Sequence, residues 1–310
     1  MTLRLLRSHS GQVRSGRVFV SGIVFLVALF ALYQVFIPLK RNVKDQVFSI
    51  ERGQGSWKIA QLLQKEGFIR SANFFEMYAV LTNSTNKLQA GTYVISPALS
   101  TFQIVRKLAS GDVVRKRITV IEGWTIQDIA EYLGQEKVVS GKDILAFQNQ
   151  EGRLFPDTYE LPPGVTAAEV ITLMTDNFKK KAGNVSANEL IMASILEKEV
   201  KTLQDKKIVS GILWKRLKTG IALQVDATIT YITKAGKVSS ADLAIDSPYN
   251  TYKRRGLPPT PISNPGLESI QAAVKPQESP YWYYLSTPKG ETIFSRTLDE
   301  HNKAKQQFLR

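Results

Sequence analysis

The sequence predicts an α+β protein carried behind a single N-terminal membrane-spanning helix, with a small α/β module followed by a mixed α+β domain. Three observations predict it. Val18 to Leu39 runs for twenty-two positions without a charge, enough helix to cross a hydrocarbon core of about 30 Å. Beyond it, short β-rich runs alternate with segments of helical periodicity. No cysteine occurs in the 310 residues, and His9 and His301 stand far apart. Disulfides, a thiol nucleophile and a zinc cluster are thereby excluded, and no metal or cofactor is expected.

The tail, 1–17, carries Arg4, Arg7, Arg14 and Arg17 and no acid. The positive-inside rule therefore puts the tail in the cytoplasm, the helix 18–39 in the membrane, and everything after the linker 40–46 outside. A cleaved signal peptide is the rival. The apolar stretch is long for one, and no small-x-small site closes it. Net charge is +14, a surplus suited to lipid headgroups or an anionic wall polymer. No nucleic-acid partner is expected outside the membrane.

In 47–115, Val47–Ile50 alternates like a strand, Gly53-Gln54-Gly55 turns, and Ile59, Leu62 and Leu63 mark a helix over 57–66. Gly91–Ile95 is a second strand, and a helix over 101–109 ends at Gly111. The order of strand, glycine turn and capped helix recurs in 116–180, with Ile118–Ile121, Gly123 and Thr125–Leu133. Arg153–Tyr159 and Pro162-Pro163-Gly164 then read as an extended connector, followed by an amphipathic helix over 167–181.

The last region, 181–310, opens on the most informative helix, 186–200. Ser186-Ala187-Asn188-Glu189 is a capping-box pattern. Ile191, Met192, Ile195 and Leu196 span one arc of the helix, with Glu199 near its middle and Glu197 almost opposite. A carboxyl among aliphatic side chains keeps its proton to higher pH, which suits a general acid. A structural ion pair is the competing reading, and the helix alone leaves both open. Val209–Leu217 is a further helix. After Gly220 the chain turns rich in Asn, Ser, Pro, Gly and Tyr, the composition of ordered loops around a cleft.

Those loops hold Leu223-Gln224-Val225-Asp226, Ser247-Pro248-Tyr249-Asn250-Thr251-Tyr252, Gly256-Leu257-Pro258-Pro259 and Pro261-Ile262-Ser263-Asn264-Pro265-Gly266. Amides, hydroxyls and tyrosine rings suit saccharides, which offer hydroxyl edges and apolar faces. Gln224, Asp226, Ser247, Tyr249, Asn250, Thr251 and Tyr252, with Glu197, are the candidate substrate-binding residues.

Taken in order, Ile195-Leu196-Glu197-Lys198-Glu199, Gln224-Val225-Asp226, Tyr249-Asn250-Thr251-Tyr252 and Gly256-Leu257-Pro258-Pro259 resemble the endolytic murein transglycosylases, the YceG-like membrane-anchored lytic transglycosylase family. The resemblance takes in Phe155–Tyr159, Ala272-Ala273 and His301-Asn302, and so most of the chain after Val18. It implies a LysM-like module at 47–115 and a catalytic domain in 181–310. It further implies a peptidoglycan lyase of the inner membrane, its C-terminal part periplasmic, working near peptidoglycan synthases such as the penicillin-binding proteins. The implied reaction cleaves the bond between N-acetylmuramic acid and N-acetylglucosamine inside nascent strands and leaves 1,6-anhydro ends. Glu199 maps to the catalytic glutamate, acting as acid and then base. Gln224 and Asn250 would hold N-acetyl and hydroxyl groups, and Tyr249 or Tyr252 would face developing charge. Two alternatives stay open: a non-catalytic wall-binding scaffold, and a two-carboxylate muramidase-type hydrolase using Asp226.

Overall fold

The computed structural model describes residues 11–40 and 43–308, with side chains described from residue 21. Arg4, Arg7, His9 and Arg41 lie outside the described residues. The chain divides into two compact units, Met1–Arg115 and Lys116–Arg310. The architecture is mixed α+β and mostly helical, with three two-stranded antiparallel sheets among the described residues.

The first unit comprises α1 (Gly11–Phe36), β1 (Gln46–Ile50), α2 (Ser56–Lys65), α3 (Ala72–Leu81), β2 (Gly91–Ile95) and α4 (Thr101–Ser110). Phe48 faces Tyr93 across β1 and β2. Phe48, Ile50, Tyr93 and Ile95 alternate inward, and the hydrophobic stripes of α2 and α4 close over them. Ser100 and Gln103 form a capping box on α4, and Gly111 ends it at φ 66°, a left-handed position that suits glycine. Helix α3 is not legible in the sequence, because Ala-Asn-Phe-Phe-Glu-Met-Tyr-Ala-Val-Leu is apolar nearly all round and lacks helical contrast. Among the described residues no helix is long and apolar enough to cross a membrane. Of the expected span 18–39, α1 includes 18–36. Val24, Phe25, Leu26 and Val27 along it are exposed, and Phe36, itself half exposed, meets Tyr78 and Phe102 with its ring.

The second unit begins with β3 (Lys116–Thr119), α5 (Ile126–Gln135), α6 (Gly141–Leu145), β4 (Thr158–Leu161) and α7 (Ala167–Ala182). The stretch expected to be a connector thus runs into a strand, with Tyr159 opposite Ile118. Pairing supplies what its mixed composition did not reveal. Next come α8 (Ala187–Glu199), α9 (Leu203–Lys218), α10 (Asp226–Thr233), α11 (Leu267–Val274), β5 (Tyr283–Ser286), β6 (Thr292–Ser295) and α12 (Leu298–Phe308). The region after Gly220 therefore holds three helices and a hairpin as well as loops. These elements are short, and α12 buries only His301 and Ala304, too few apolar positions to show a period.

Helix α8 is the core of this unit. Every residue from Leu190 to Leu196 is buried, with α9 and α11 among its neighbours. Close approach fixes Gly211 on α9, where an added Cβ would lie 2.0 Å from the Gln277 carbonyl oxygen. Helix propensity alone would favour alanine by about 1 kcal/mol. The backbone clash wins, and Gly211→Ala is expected to cost about 1–3 kcal/mol in urea unfolding. A stabilised variant would contradict this packing.

Candidate active site

The end of α8 separates two glutamates. Ser186 caps the start, its Oγ accepting from Glu189 N–H at 3.3 Å while the Glu189 carboxylate accepts from Ser186 N–H at 2.8 Å. Glu199 is the last helical residue, after which Val200 turns extended. Glu197 is spent internally. Its Oε1 accepts from Lys206 Nζ at 3.1 Å, and its Oε2 from Gly266 N–H at 2.7 Å and Ser269 Oγ at 2.8 Å. All three donors come from the protein.

Glu199 instead lines a cleft of about 540 Å³ shared with Asp226, Thr230, Tyr231 and Lys234, within the range of small-ligand sites. No ion pair reaches it among the described residues. Its Oε1 accepts from Ala227 N–H at 3.1 Å, one of the unpaired donors in the first turn of α10. Its Oε2 accepts from Tyr284 Oη at 2.9 Å. Glu199 keeps some exposure to the cleft but is otherwise enclosed by protein. Loss of hydration pushes its pKa up to about 7, against the two donors, with Asp226 adding a smaller upward push. Each carboxyl oxygen still has a lone-pair direction free, so a proton can be held and passed without breaking either bond.

Tyr284 is not among the residues the sequence singles out. Its only trace in sequence is the aromatic run Tyr281-Trp282-Tyr283-Tyr284, which reads as a strand. Burial and the neighbouring Glu199 push its pKa up, so it remains a donor.

Of the expected binding residues, Asp226 shares the Glu199 cleft and accepts from Tyr252 Oη at 2.5 Å. Tyr252 thus touches the cleft through a carboxylate, and burial raises its pKa. Tyr249 lines an adjoining cavity of about 730 Å³, packs on Tyr231 at 5.0 Å, and bonds Thr260 at 2.7 Å. The two cavities share Thr125, Gln127, Asp128, Tyr231 and Lys234, making one groove. Gln224 is exposed and held at φ 56°, a strained value for a residue with a Cβ.

Asn250 is held by four internal bonds. Its amide donates to the carbonyls of Leu243 at 3.0 Å and Ile245 at 2.8 Å, and its oxygen accepts from Tyr252 N–H at 3.0 Å and Lys253 N–H at 3.3 Å. The side chain is fully used as a loop staple. Thr251 Oγ1 accepts from Val225 N–H and meets Thr228 Oγ1, and Ser247 Oγ accepts from Tyr249 N–H. These three shape the 223–227 and 247–252 segments.

A second buried acid escaped sequence reading altogether. Glu151, on the wall of the adjoining cavity, accepts from Ile126 N–H at 3.0 Å and Asn264 Nδ2 at 2.9 Å. Desolvation raises its pKa to about 7. Nothing in Gln148-Asn149-Gln150-Glu151-Gly152 marks it as buried.

The unit is helical α+β and presents to a polar groove a carboxyl that only hydrogen-bond donors hold, a group able to hold and pass a proton. By family the chain belongs to the YceG-like proteins, whose model matches residues 48–307. An endolytic murein transglycosylase of Bacillus subtilis (strain 168) is 33% identical over 88% of this chain and 87% of its own length. The protein of that name in Streptococcus pneumoniae serotype 2 is 28% identical over 92% of this chain, which spans 64% of its length. A crystal structure of a yceG-like protein from Listeria monocytogenes matches 85% of this chain and 100% of that one, with 32% identity and a TM-score of 0.55.

Proposed function

We propose that this protein is an endolytic lytic transglycosylase that cuts peptidoglycan strands between N-acetylmuramic acid and N-acetylglucosamine. The observation that carries the reading is the Glu199 carboxyl, which no cation pairs with among the described residues and which Ala227 N–H and Tyr284 Oη hold at the groove. Protonated Glu199 gives its proton to the glycosidic oxygen as the bond to C1 of the muramoyl unit breaks. The muramoyl 6-hydroxyl closes on C1, and its proton returns to the Glu199 carboxylate. Charge balances, and the products are a 1,6-anhydro end and a free 4-hydroxyl on the departing sugar. Water takes no part. The names carried by the Bacillus and Streptococcus relatives support the same reaction.

Asp226, on the groove, is proposed to orient sugar hydroxyls, with Tyr231 and Tyr249 offering ring faces, and the exposed Gln224, which lines neither cavity, is proposed as a further contact at its edge. The exposed apolar side chains of α1 support an uncleaved inner-membrane anchor with the remainder periplasmic, near the synthases that make nascent strands. Protease added to intact spheroplasts is expected to remove everything after the anchor; full protection would overturn that orientation.

A hydrolase using Glu199 and Asp226 together is the second reading, favoured by their shared cleft. Mass spectrometry of digested murein decides between them, because hydrolysis adds water and leaves reducing ends. Wild type and Asp226→Asn are both expected to yield anhydro ends, the variant within about tenfold of the wild-type rate, or about 1.4 kcal/mol in barrier. Reducing ends that vanish with Asp226→Asn would establish the hydrolase instead. A scaffold would leave strands uncut.

A further inference from the structure

We infer that Arg216 is a positioning residue that clamps together the two segments supplying the hydrogen-bond donors of Glu199. Arg216 lies on α9 and is 6% exposed. Its Nη1 donates to the carbonyl of Leu223 at 2.8 Å, and Nε donates to the carbonyl of Trp282 at 3.1 Å. Leu223 starts the stretch that delivers Ala227 N–H to Glu199 Oε1, four residues on. Trp282 lies two residues before Tyr284, whose hydroxyl reaches Glu199 Oε2. These donors are remote from Glu199 in sequence and come from separate elements, yet one guanidinium ties both to α9.

The charge itself is unusual. No carboxylate pairs with Arg216 among the described residues, and a buried cation without an anion is costly unless dipoles compensate it. Carbonyl oxygens do so here, and the guanidinium carbon sits 5.0 Å from the Tyr283 ring centroid, which in turn stacks on His301 at 5.3 Å. The titratable groups facing the guanidinium are Tyr252, Tyr283, Tyr284 and His301. Tyr252 and Tyr284 hold the two cleft carboxylates, Asp226 and Glu199. A planar fork with several donors can take carbonyls in two directions at once, and a lysine ammonium does this less rigidly.

The clamp rests on the reading of Glu199 as the reacting acid, and its test keeps the two apart. Full-length protein in detergent micelles, labelled with 13C at glutamate carboxyls, is titrated by NMR. The Glu199 signal is assigned by its loss in Glu199→Gln. Strand cleavage is followed against pH in parallel.

In Arg216→Met both anchor points go, the donors drift from Glu199, and its ionised form loses support. The Glu199 midpoint is expected to move up by about one unit, since hydrogen bonds to a charged group are the ones lost. With it, kcat is expected to fall about tenfold or more while KM stays within about twofold, the mark of lost transition-state positioning. Arg216→Lys should fall between. A wild-type Glu199 midpoint in Arg216→Met, with activity lost only in proportion to unfolded protein, would overturn the clamp. If Arg216→Met does not fold, Arg216→Lys decides, an upward shift supporting the clamp and an unmoved midpoint refuting it. A wild-type protein that cuts nothing would count against the transglycosylase reading alone, because the titration still reports on Arg216.

Discussion

Glu199→Gln is expected to lower glycan cleavage by about 10³-fold, within the range of general acid–base catalysis, and at pH 8 to raise stability. The amide keeps the shape and can still accept one hydrogen bond, but it has no proton to donate. The stability gain follows from linkage. Folding raises the Glu199 pKa from 4.5 to about 7, so its protonated form is favoured by the native state. That contribution is present below the unfolded value and is lost as pH rises through about 7. Above it the buried carboxylate costs about 3 kcal/mol, which glutamine removes. The thermal midpoint at pH 8 should rise by several degrees, at about 2–4 °C per kcal/mol for a unit of this size. At pH 4 the two proteins should melt together. In wild type, cleavage should decline above about pH 7 as Glu199 ionises. A Glu199→Gln protein that still leaves 1,6-anhydro ends at the wild-type rate would sink the assignment.

Glu197→Ala should do the reverse, with its main effect on stability. Glu197 and Lys206 are 10% and 6% exposed in their side chains, and the removed carboxylate strands a buried ammonium, Gly266 N–H and Ser269 Oγ together. Breaking one side of a buried pair costs about 3–5 kcal/mol, a large share of the ~5–15 kcal/mol of a typical domain. Urea unfolding measures it. Adding Lys206→Met should restore part of the loss, because the stranded charge goes too. A single variant within about 0.5 kcal/mol of wild type would show that the pair is not structural.

The two glutamates illustrate what was legible. Their opposite fates follow from the helical register of two residues two positions apart, and register is local. The helix nonetheless has no single apolar stripe. Leu190 to Leu196 are buried on all sides of α8, so Glu199 does not mark an apolar stripe. It is distinguished because the helix stops there and opens its last side chain to a cleft. Asn250 shows how little composition alone says about a polar loop residue. An amide among Ser, Pro and Tyr suggests a ligand contact, but its four bonds close the loop that carries it. Composition reads the same in both cases, since a loop staple and a sugar contact use the same atoms.

By itself the sequence determined the apolar N-terminal stretch, the capped helices, the β1 and β2 strands, and the ordered segments that mark the family. All of these depend on neighbours a few residues away. Tertiary structure alone decided that Tyr284 and Ala227 hold Glu199, that Lys206 neutralises Glu197, that Glu151 is buried, and that Arg216 bonds both Trp282, just before β5, and Leu223, just before Asp226. Those contacts join residues well separated along the chain, so only the packing of α8 against its neighbours selects which donors meet which carboxylate.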